Sequence, residues 1–219
     1  MYNDEYTKNL ENIIKQMLRP LKNVPFSLVI EGLSGNKVIP YDRKNGRHQE
    51  VIRLLESAAI KAGKEINKNG IKRRRVDEVG NDIEKYVKTA LNKLGLNADT
   101  PSGKTGKKKS TGYPDILFWH KNIPYYLECK TYSINNVNTT FRSFYLSPSK
   151  DFKIVYNTLH FLLSYEMFVF NNSDGQNIYR ARHYKILSIE KLLTNVKYEF
   201  NANNRELYKN EYLIVEGDL

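Results

Sequence analysis

The stretch GYPDILFWHKNIPYYLECKT, residues 112–131, decides how this chain folds. Two runs rich in apolar residues, at 115–119 and 123–131, have the length and composition of β-strands. The turn between them, at 120–122, is short enough to join paired strands, so the stretch predicts a β-hairpin. Pro114 is compatible with this prediction because the first residue of a strand need not donate a ladder hydrogen bond.

Three charged side chains interrupt the hairpin. Successive side chains of a strand point to opposite faces, so Glu128 and Lys130 share a face, and Asp115 on the paired strand lies within their reach. Cys129 points to the other face, which predicts a buried packing role and not a nucleophile. Two carboxylates and an ammonium group inside apolar strands are costly unless another charge satisfies them, and a divalent cation does so.

The oxygen ligands of Asp115 and Glu128, without a cluster of His or Cys, indicate a hard ion: Mg²⁺ first, with Mn²⁺ as a substitute. Such an ion lowers the pKa of a bound water, and Lys130 beside it is suited to orient that water for phosphodiester hydrolysis. The alternative is a solvated edge strand, because a Glu-x-Lys pattern arises by chance in a chain with 27% charged residues. The Pro-Asp pair, the apolar run and the tight turn around the pattern favour the catalytic interpretation.

Pro114-Asp115 followed by Glu128-Cys129-Lys130 resembles the signature of the PD-(D/E)xK nuclease superfamily, and the chain resembles its type II restriction enzymes. That family often adds an acidic residue from the preceding helix in a Gly-x-x-Φ-Glu pattern, which residues 80–84 match. The resemblance covers residues 80–131. It implies the catalytic set Asp115, Glu128, Lys130 and Glu84, with Asp115 and Glu128 as metal ligands. A salt bridge to Lys88 is the alternative role for Glu84.

The rest of the chain alternates helices with a few strands, which favours an α/β (α+β) fold. Helices are predicted at 8–19, 48–62, 76–94, 151–158 and 189–193, and strands at 26–30, 37–41 and 184–187. Residues 160–170 are predicted to be a buried strand or a helix-to-strand transition. We expect a central mixed β-sheet flanked by helices, the restriction-endonuclease-like core. The whole chain, 1–219, is expected to be one nuclease domain, with a catalytic core at about 76–190 and a helical dimerisation or DNA-reading region at 1–75.

The chain has 35 Lys and Arg against 24 Asp and Glu, a formal net charge of +11. This favours a polyanionic partner, although a basic but ordinary surface is the alternative. The candidate DNA contacts are Lys104, Lys107, Lys108 and Lys109 of the loop at 101–111, together with Arg73, Arg74, Arg142, Arg180 and Arg182. A solvated, disordered loop is the alternative for the four lysines, and a surface salt bridge is the alternative for Arg142, Arg180 and Arg182. The loop lacks the order of a P-loop, so no nucleotide cofactor is expected.

The sequence contains no run of eighteen apolar residues, so no membrane partner is expected. It also contains no apolar signal region, so a cytoplasmic location is expected. Our hypothesis is a type II restriction endonuclease: a Mg²⁺-dependent, sequence-specific enzyme that acts on double-stranded DNA as a homodimer. Three alternatives stay open. They are a structure-specific nuclease such as a junction resolvase or repair nickase, a catalytically inactive DNA-binding module, and an RNA-directed nuclease.

Overall fold

The computed structural model describes residues 4–19, 21–109, 111–140, 142–173, 175–197, 203–207, 209 and 211. Its helices are α1 (Asp4–Met17), α2 (Phe26–Ser34), α3 (Gly46–Asn69), α4 (Gly80–Asn92) and α5 (Asn204–Leu207), and a 3-10 turn (Val76–Val79) precedes α4. Its strands are β1 (Val24–Pro25), β2 (Ile71–Arg73), β3 (Ile116–His120), β4 (Ile123–Tyr132), β5 (His160–Ser173), β6 (Gln176–Ser188) and β7 (Leu193–Thr194). Within this described part, no helix is both long and apolar enough to cross a membrane.

The chain divides into two compact units. The smaller unit comprises residues 1–24 and 193–219 and contains α1, β7 and α5. The predicted first helix is confirmed as α1, whose apolar residues Leu10, Ile13 and Ile14 are 40–50% exposed. The larger unit comprises residues 25–192 and contains the main sheet and the predicted hairpin.

A five-stranded sheet in the order β2-β6-β5-β4-β3 forms the centre of the larger unit. β3 and β4 form the predicted antiparallel hairpin, with Ile116 opposite Leu127. β5 runs parallel to β4, whereas the other neighbouring pairs are antiparallel. The expected mixed sheet and α+β class are therefore confirmed.

Two apolar clusters cover the two faces of this sheet. On the helix face, α3 and α4 pack against side chains such as Leu127 and Cys129. On the opposite face, α2 and neighbouring loops form a smaller cluster with Phe26, Ile30, Tyr113, Tyr126, Phe152, Ile154 and Ile189 among its members. Because β4 contributes to both clusters at alternate positions, the predicted division of its side chains between two faces is confirmed.

The second predicted helix extends seven residues beyond Ala62, to Asn69. Gly63 does not end it and lies close to the ring of Tyr165, which a methyl group at this position would meet at 3.4 Å, an ordinary contact distance. The Tyr165 hydroxyl donates to the Ala59 carbonyl at 2.7 Å. The helix ends where Gly70 adopts a φ of +65°.

Four predicted elements are wrong. Residues 26–30 belong to α2, because burial of Phe26 and Ile30 one helical turn apart outweighs the strand propensity of the segment. Residues 37–41 contribute a single bridge, at Val38. Residues 151–158 are irregular, since their polar groups bind partners elsewhere; the Val155 amide, for example, donates to the Tyr126 hydroxyl at 2.9 Å. Residues 189–193 form a turn that leads into β7.

Candidate active site

The hairpin brings the two predicted metal-binding carboxylates opposite each other. Asp115 directly precedes β3, and extension of the β3–β4 register by one step from Ile116 and Leu127 pairs it with Glu128. The Asp115 carboxylate accepts a hydrogen bond of 2.8 Å from the Cys129 amide, which fixes its orientation on the strand. Glu128 is 3% exposed, so this carboxylate has lost most of its water.

Lys130 is the cationic neighbour of this acidic pair. Its ammonium nitrogen lies 2.6 Å from Glu128 Oε1, as strand alternation predicts for residues two apart. Burial acts to lower the pKa of Lys130, but the Glu128 carboxylate outweighs burial, so the pKa is raised and the lysine stays protonated. Burial and the charge of Asp115 raise the pKa of Glu128 to about 7, despite this ion pair.

Glu84 approaches the same group from α4, as the Gly-x-x-Φ-Glu pattern predicts. The side chain is half-buried, and burial together with the charge of Asp115 raises the pKa of Glu84 to about 6. Lys88 does not form the alternative salt bridge in the described structure; its ammonium group donates to the Thr100 hydroxyl at 2.8 Å. Glu84 is thus a partly dehydrated carboxylate that faces other carboxylates.

Lys153 is a member of the site that the sequence analysis missed. It is 3% exposed, and its ammonium group donates to the carbonyls of Gly112 at 2.5 Å and Pro114 at 2.8 Å. Burial lowers the pKa of Lys153, while the nearby charges of Asp115 and Glu128 oppose that effect. The available signal was a lysine between the apolar residues Phe152 and Ile154, but residues 151–158 were predicted only to be helical.

A second contact holds the turn that precedes Asp115. The Tyr113 hydroxyl lies 2.7 Å from Nδ1 of His160, and both side chains are buried. Burial lowers the pKa of His160 to about 3, so the imidazole is neutral. His160 is thus a buried histidine with a hydrogen-bonded imidazole, and the predicted burial of Cys129 is confirmed.

The donor set fits a hard divalent cation. Glu128 Oε2 is buried and has no hydrogen-bond partner among the described residues, so an oxygen ligand is available beside Asp115. Burial also raises the pKa of Asp115, although the nearby charges of Lys130 and Lys153 oppose this effect, so the ionised carboxylate is disfavoured by its loss of water. The described residues contain no group of three or more Asp, Glu, His or Cys in metal-binding proximity. Hard divalent ions of this kind are commonly held by one or two carboxylates together with water and phosphate oxygens.

The predicted phosphate-binding lysines differ in their surroundings. Lys104 and Lys107 are exposed in the loop at 101–109. Lys108 forms a salt bridge with Asp99, and Lys109 pairs with Asp151 at 3.0 Å. Asp151 also accepts hydrogen bonds from the amide and hydroxyl of Thr105, and these contacts lower its pKa to about 2. Loop contacts thus engage two of the four lysines before any ligand binds.

The predicted arginines divide into two groups. Arg73 forms a bidentate ion pair with Asp82, in which Nε and Nη2 each donate to a carboxylate oxygen at 2.7 Å. Arg74 is exposed, and the guanidinium carbon of Arg142 lies 5.7 Å from the centroid of the Tyr145 ring. By contrast, Arg180 and Arg182 lie on β6, on the same sheet face as Glu128 and Lys130.

Comparison with known proteins identifies the family. The model of the type II restriction enzyme MjaV family matches residues 20–211. The chain belongs to the MjaV family of type II restriction enzymes. Within that family, the type II restriction enzyme MjaV of Methanocaldococcus jannaschii is 42% identical to this chain over 235 residues, with 100% of both chains covered. No solved structure was found to match the chain. The predicted resemblance to type II restriction enzymes is confirmed.

Proposed function

We propose that this MjaV-family member hydrolyses phosphodiester bonds of double-stranded DNA at a specific sequence, with Mg²⁺ as its cofactor and Mn²⁺ as a substitute. The observation that carries the proposal is the buried acidic pair: Glu128 is 3% exposed and keeps one oxygen without a partner, beside the oriented carboxylate of Asp115. Buried carboxylates in this state favour a cation, and DNA supplies the remaining oxygen ligands through a phosphate.

Asp115 and Glu128 would hold the ion, which supplies a nucleophilic water and offsets negative charge at the phosphate in the transition state. Lys130 orients the attacking water and stabilises the developing charge, since its ammonium group reaches the same carboxylate. Glu84 accepts a hydrogen bond from a water on the α4 side. Lys153 is a positioning residue that holds the turn before Asp115. By the family resemblance, the products carry 5′-phosphates and 3′-hydroxyls.

The catalytic core is assigned to about 76–190 of a single nuclease domain, and 1–75 to dimerisation or DNA reading. A homodimer suits a two-fold symmetric DNA site. The exposed apolar stripe of α1, formed by Leu10, Ile13 and Ile14, is the kind of surface that a second copy would bury. Ile13→Glu is expected to shift the protein to a monomer in analytical ultracentrifugation, whereas Lys15→Glu on the same helix leaves the dimer intact.

The DNA contacts proposed outside the catalytic group are Lys104, Lys107, Lys108, Lys109, Arg73, Arg74, Arg142, Arg180 and Arg182. Exposure supports Lys104, Lys107 and Arg74. Lys108, Lys109 and Arg73 would first have to exchange their acidic partners for phosphates.

Digestion of unmethylated phage DNA by the purified protein tests the proposal. Discrete fragments in Mg²⁺, and no fragments in EDTA, are expected. Asp115→Asn should cleave at least about a hundredfold more slowly, because a general acid–base or metal ligand typically contributes this much or more. The matched control, Asp42→Asn, changes an aspartate on the loop before α3 and should cleave normally. Nicking of junctions, cleavage of RNA, or binding without cleavage would each contradict the proposal and favour one of the alternatives.

A further inference from the structure

One part of the sheet surface beyond the catalytic group carries paired cations and aromatic rings. On β4, Glu128, Lys130 and Tyr132 alternate with core residues and so share one face. The register places Ser164 of β5 beside Lys130, and Lys185 of β6 beside Ser164, in one row across three strands. Lys185 therefore lies on the same face as the catalytic lysine, two strands away.

Three cations on this face lie over aromatic rings. The Lys185 ammonium nitrogen is 4.8 Å from the centroid of the Tyr132 ring. The guanidinium carbon of Arg182 is 4.7 Å from the Phe168 ring, and that of Arg180 is 3.5 Å from the Phe170 ring. We call these six residues the cation–aromatic face.

The face is open to solvent and carries a positive charge. Lys185 is exposed, the Arg182 side chain is 56% exposed, and Phe170 is 52% exposed. Arg180 is half-buried, and its Nε is buried without a partner among the described residues. Among the described residues, the acid in contact with these cations is Glu166, 3.7 Å from Arg182, so three cations face one carboxylate. The smaller apolar cluster covers the other end of the same sheet face around Tyr126, so the catalytic pair lies where this cover ends.

We propose that the cation–aromatic face binds the sugar-phosphate backbone of duplex DNA next to the phosphate that is cut. This inference rests on the proposed function and deepens it. The face begins in the row of Lys130 and ends at Phe170, six residues along β5 from Ser164, or about 20 Å at the rise of a strand. A duplex adds one phosphate per strand every 3.4 Å or so, so the face spans about six base pairs.

The rings explain how the cations are held before DNA binds. A guanidinium group that lies flat on an aromatic ring is attracted to the ring and keeps its N–H edge free for phosphate oxygens. A preset side chain loses less conformational freedom on binding than one that moves freely in water. The aromatic residues thus favour affinity without a direct contact to DNA.

The test measures binding of a fluorescent duplex of about 30 base pairs by anisotropy, at several salt concentrations, in an Asp115→Asn background that prevents cleavage. Lys185→Gln, Arg182→Gln and Arg180→Gln are each expected to weaken binding and to reduce the slope of log K against log salt by about 0.9, the value for one lost phosphate contact. Lys93→Gln is the matched control. It removes one exposed lysine from the C-terminal end of α4, on the helix side of the sheet, and should leave the slope unchanged.

Phe168→Leu and Phe170→Leu separate the rings from the charges. These variants keep all three cations, so the salt slope should stay the same while affinity falls about two- to fivefold, the value of a cation–π contact at an exposed site. Unchanged affinity in both variants would overturn the role of the rings. Arg180→Lys should also keep the slope, which guards against a variant that merely misfolds.

Two outcomes distinguish this inference from the function on which it rests. If the unaltered protein cuts phage DNA in Mg²⁺ and the three glutamine variants keep the full salt slope, the cation–aromatic face is not a DNA surface, and the proposed function stands. If the unaltered protein neither cuts nor binds duplex DNA, both are overturned.

Discussion

Replacement of Glu128 by glutamine should stabilise the metal-free protein. Burial and the charge of Asp115 raise the pKa of Glu128 from its ordinary 4.5 to about 7, so its ionised form is disfavoured in the folded state. At about 1.36 kcal/mol per pH unit, this difference corresponds to about 3 kcal/mol. No reduction for solvent screening applies, because Glu128 is 3% exposed. Glutamine has nearly the same shape as the protonated acid and avoids this cost.

The sign of the pH dependence follows from proton binding. Between about pH 4.5 and 7 the folded protein binds a proton at Glu128 that the unfolded chain has released, so the wild type loses stability as pH rises through this range. The advantage of Glu128→Gln should therefore be near zero at pH 4 and about 3 kcal/mol at pH 8. For a chain of this size, this equals a rise of about 6–12 °C in Tm.

Urea and thermal unfolding in EDTA at pH 4 and pH 8 measure the effect. Glu31→Gln is the control, since Glu31 is exposed on α2 and its replacement should change little at either pH. Glu128→Gln should also lose the stabilisation that Mg²⁺ gives the wild type. If the variant is less stable than the wild type at pH 8, or if its advantage is the same at both pH values, the buried carboxylate is not under electrostatic strain and the reasoning fails.

Two further predictions concern the same group. Metal binding at Asp115 and Glu128 requires ionised carboxylates, so initial cleavage rates at low Mg²⁺ should fall about tenfold per pH unit below the Glu128 pKa of about 7. Below about pH 6, where Glu84 also takes up a proton, the fall should steepen to about a hundredfold per pH unit. The midpoint should move to lower pH at high Mg²⁺, and a flat profile from pH 5.5 to 8.5 would contradict this account. Lys153→Met should cost about 1–3 kcal/mol in urea unfolding, because buried carbonyl groups lose their donor. The same variant should shift the pH midpoint of cleavage upwards, since a nearby positive charge is lost; Lys150→Met, at an exposed position, should do neither.

The hairpin and the grouping of its charged residues were predictable because they depend on short-range rules. Strand alternation alone brings Glu128 and Lys130 together and directs Cys129 to the core. A single tight turn then sets Asp115 opposite Glu128. The proximity of Glu84 to these residues could not be predicted from local pattern alone. The periodicity of α4 did not decide whether Glu84 faces the hairpin, and the family resemblance supplied that prediction.

The missed features depend on contacts between distant segments. Lys153 joins the site through carbonyls about 40 residues earlier in the chain, and no local spacing encodes that contact. The pairing of Lys185 with Tyr132 requires the register of β5 with both β4 and β6, including the irregularity after Glu166. Residues 26–30 were misassigned for a related reason: their helix is stabilised by tertiary burial that propensity does not describe.

The double use of β4 constrains how this enzyme can evolve. Its odd-numbered residues from Tyr125 to Cys129 pack in the larger core cluster, whereas its even-numbered residues are Tyr126, which packs in the smaller cluster, and Glu128 and Lys130, the proposed catalytic residues. A deletion of one residue within this strand would exchange the two sets, placing the catalytic charges among the apolar side chains of α3 and α4. Within β4, a folded protein without nuclease activity is therefore expected to arise by substitution and not by deletion. A one-residue deletion in β4 is therefore expected to disrupt the fold and the proposed nuclease site together, so that no folded protein with a partly assembled site results.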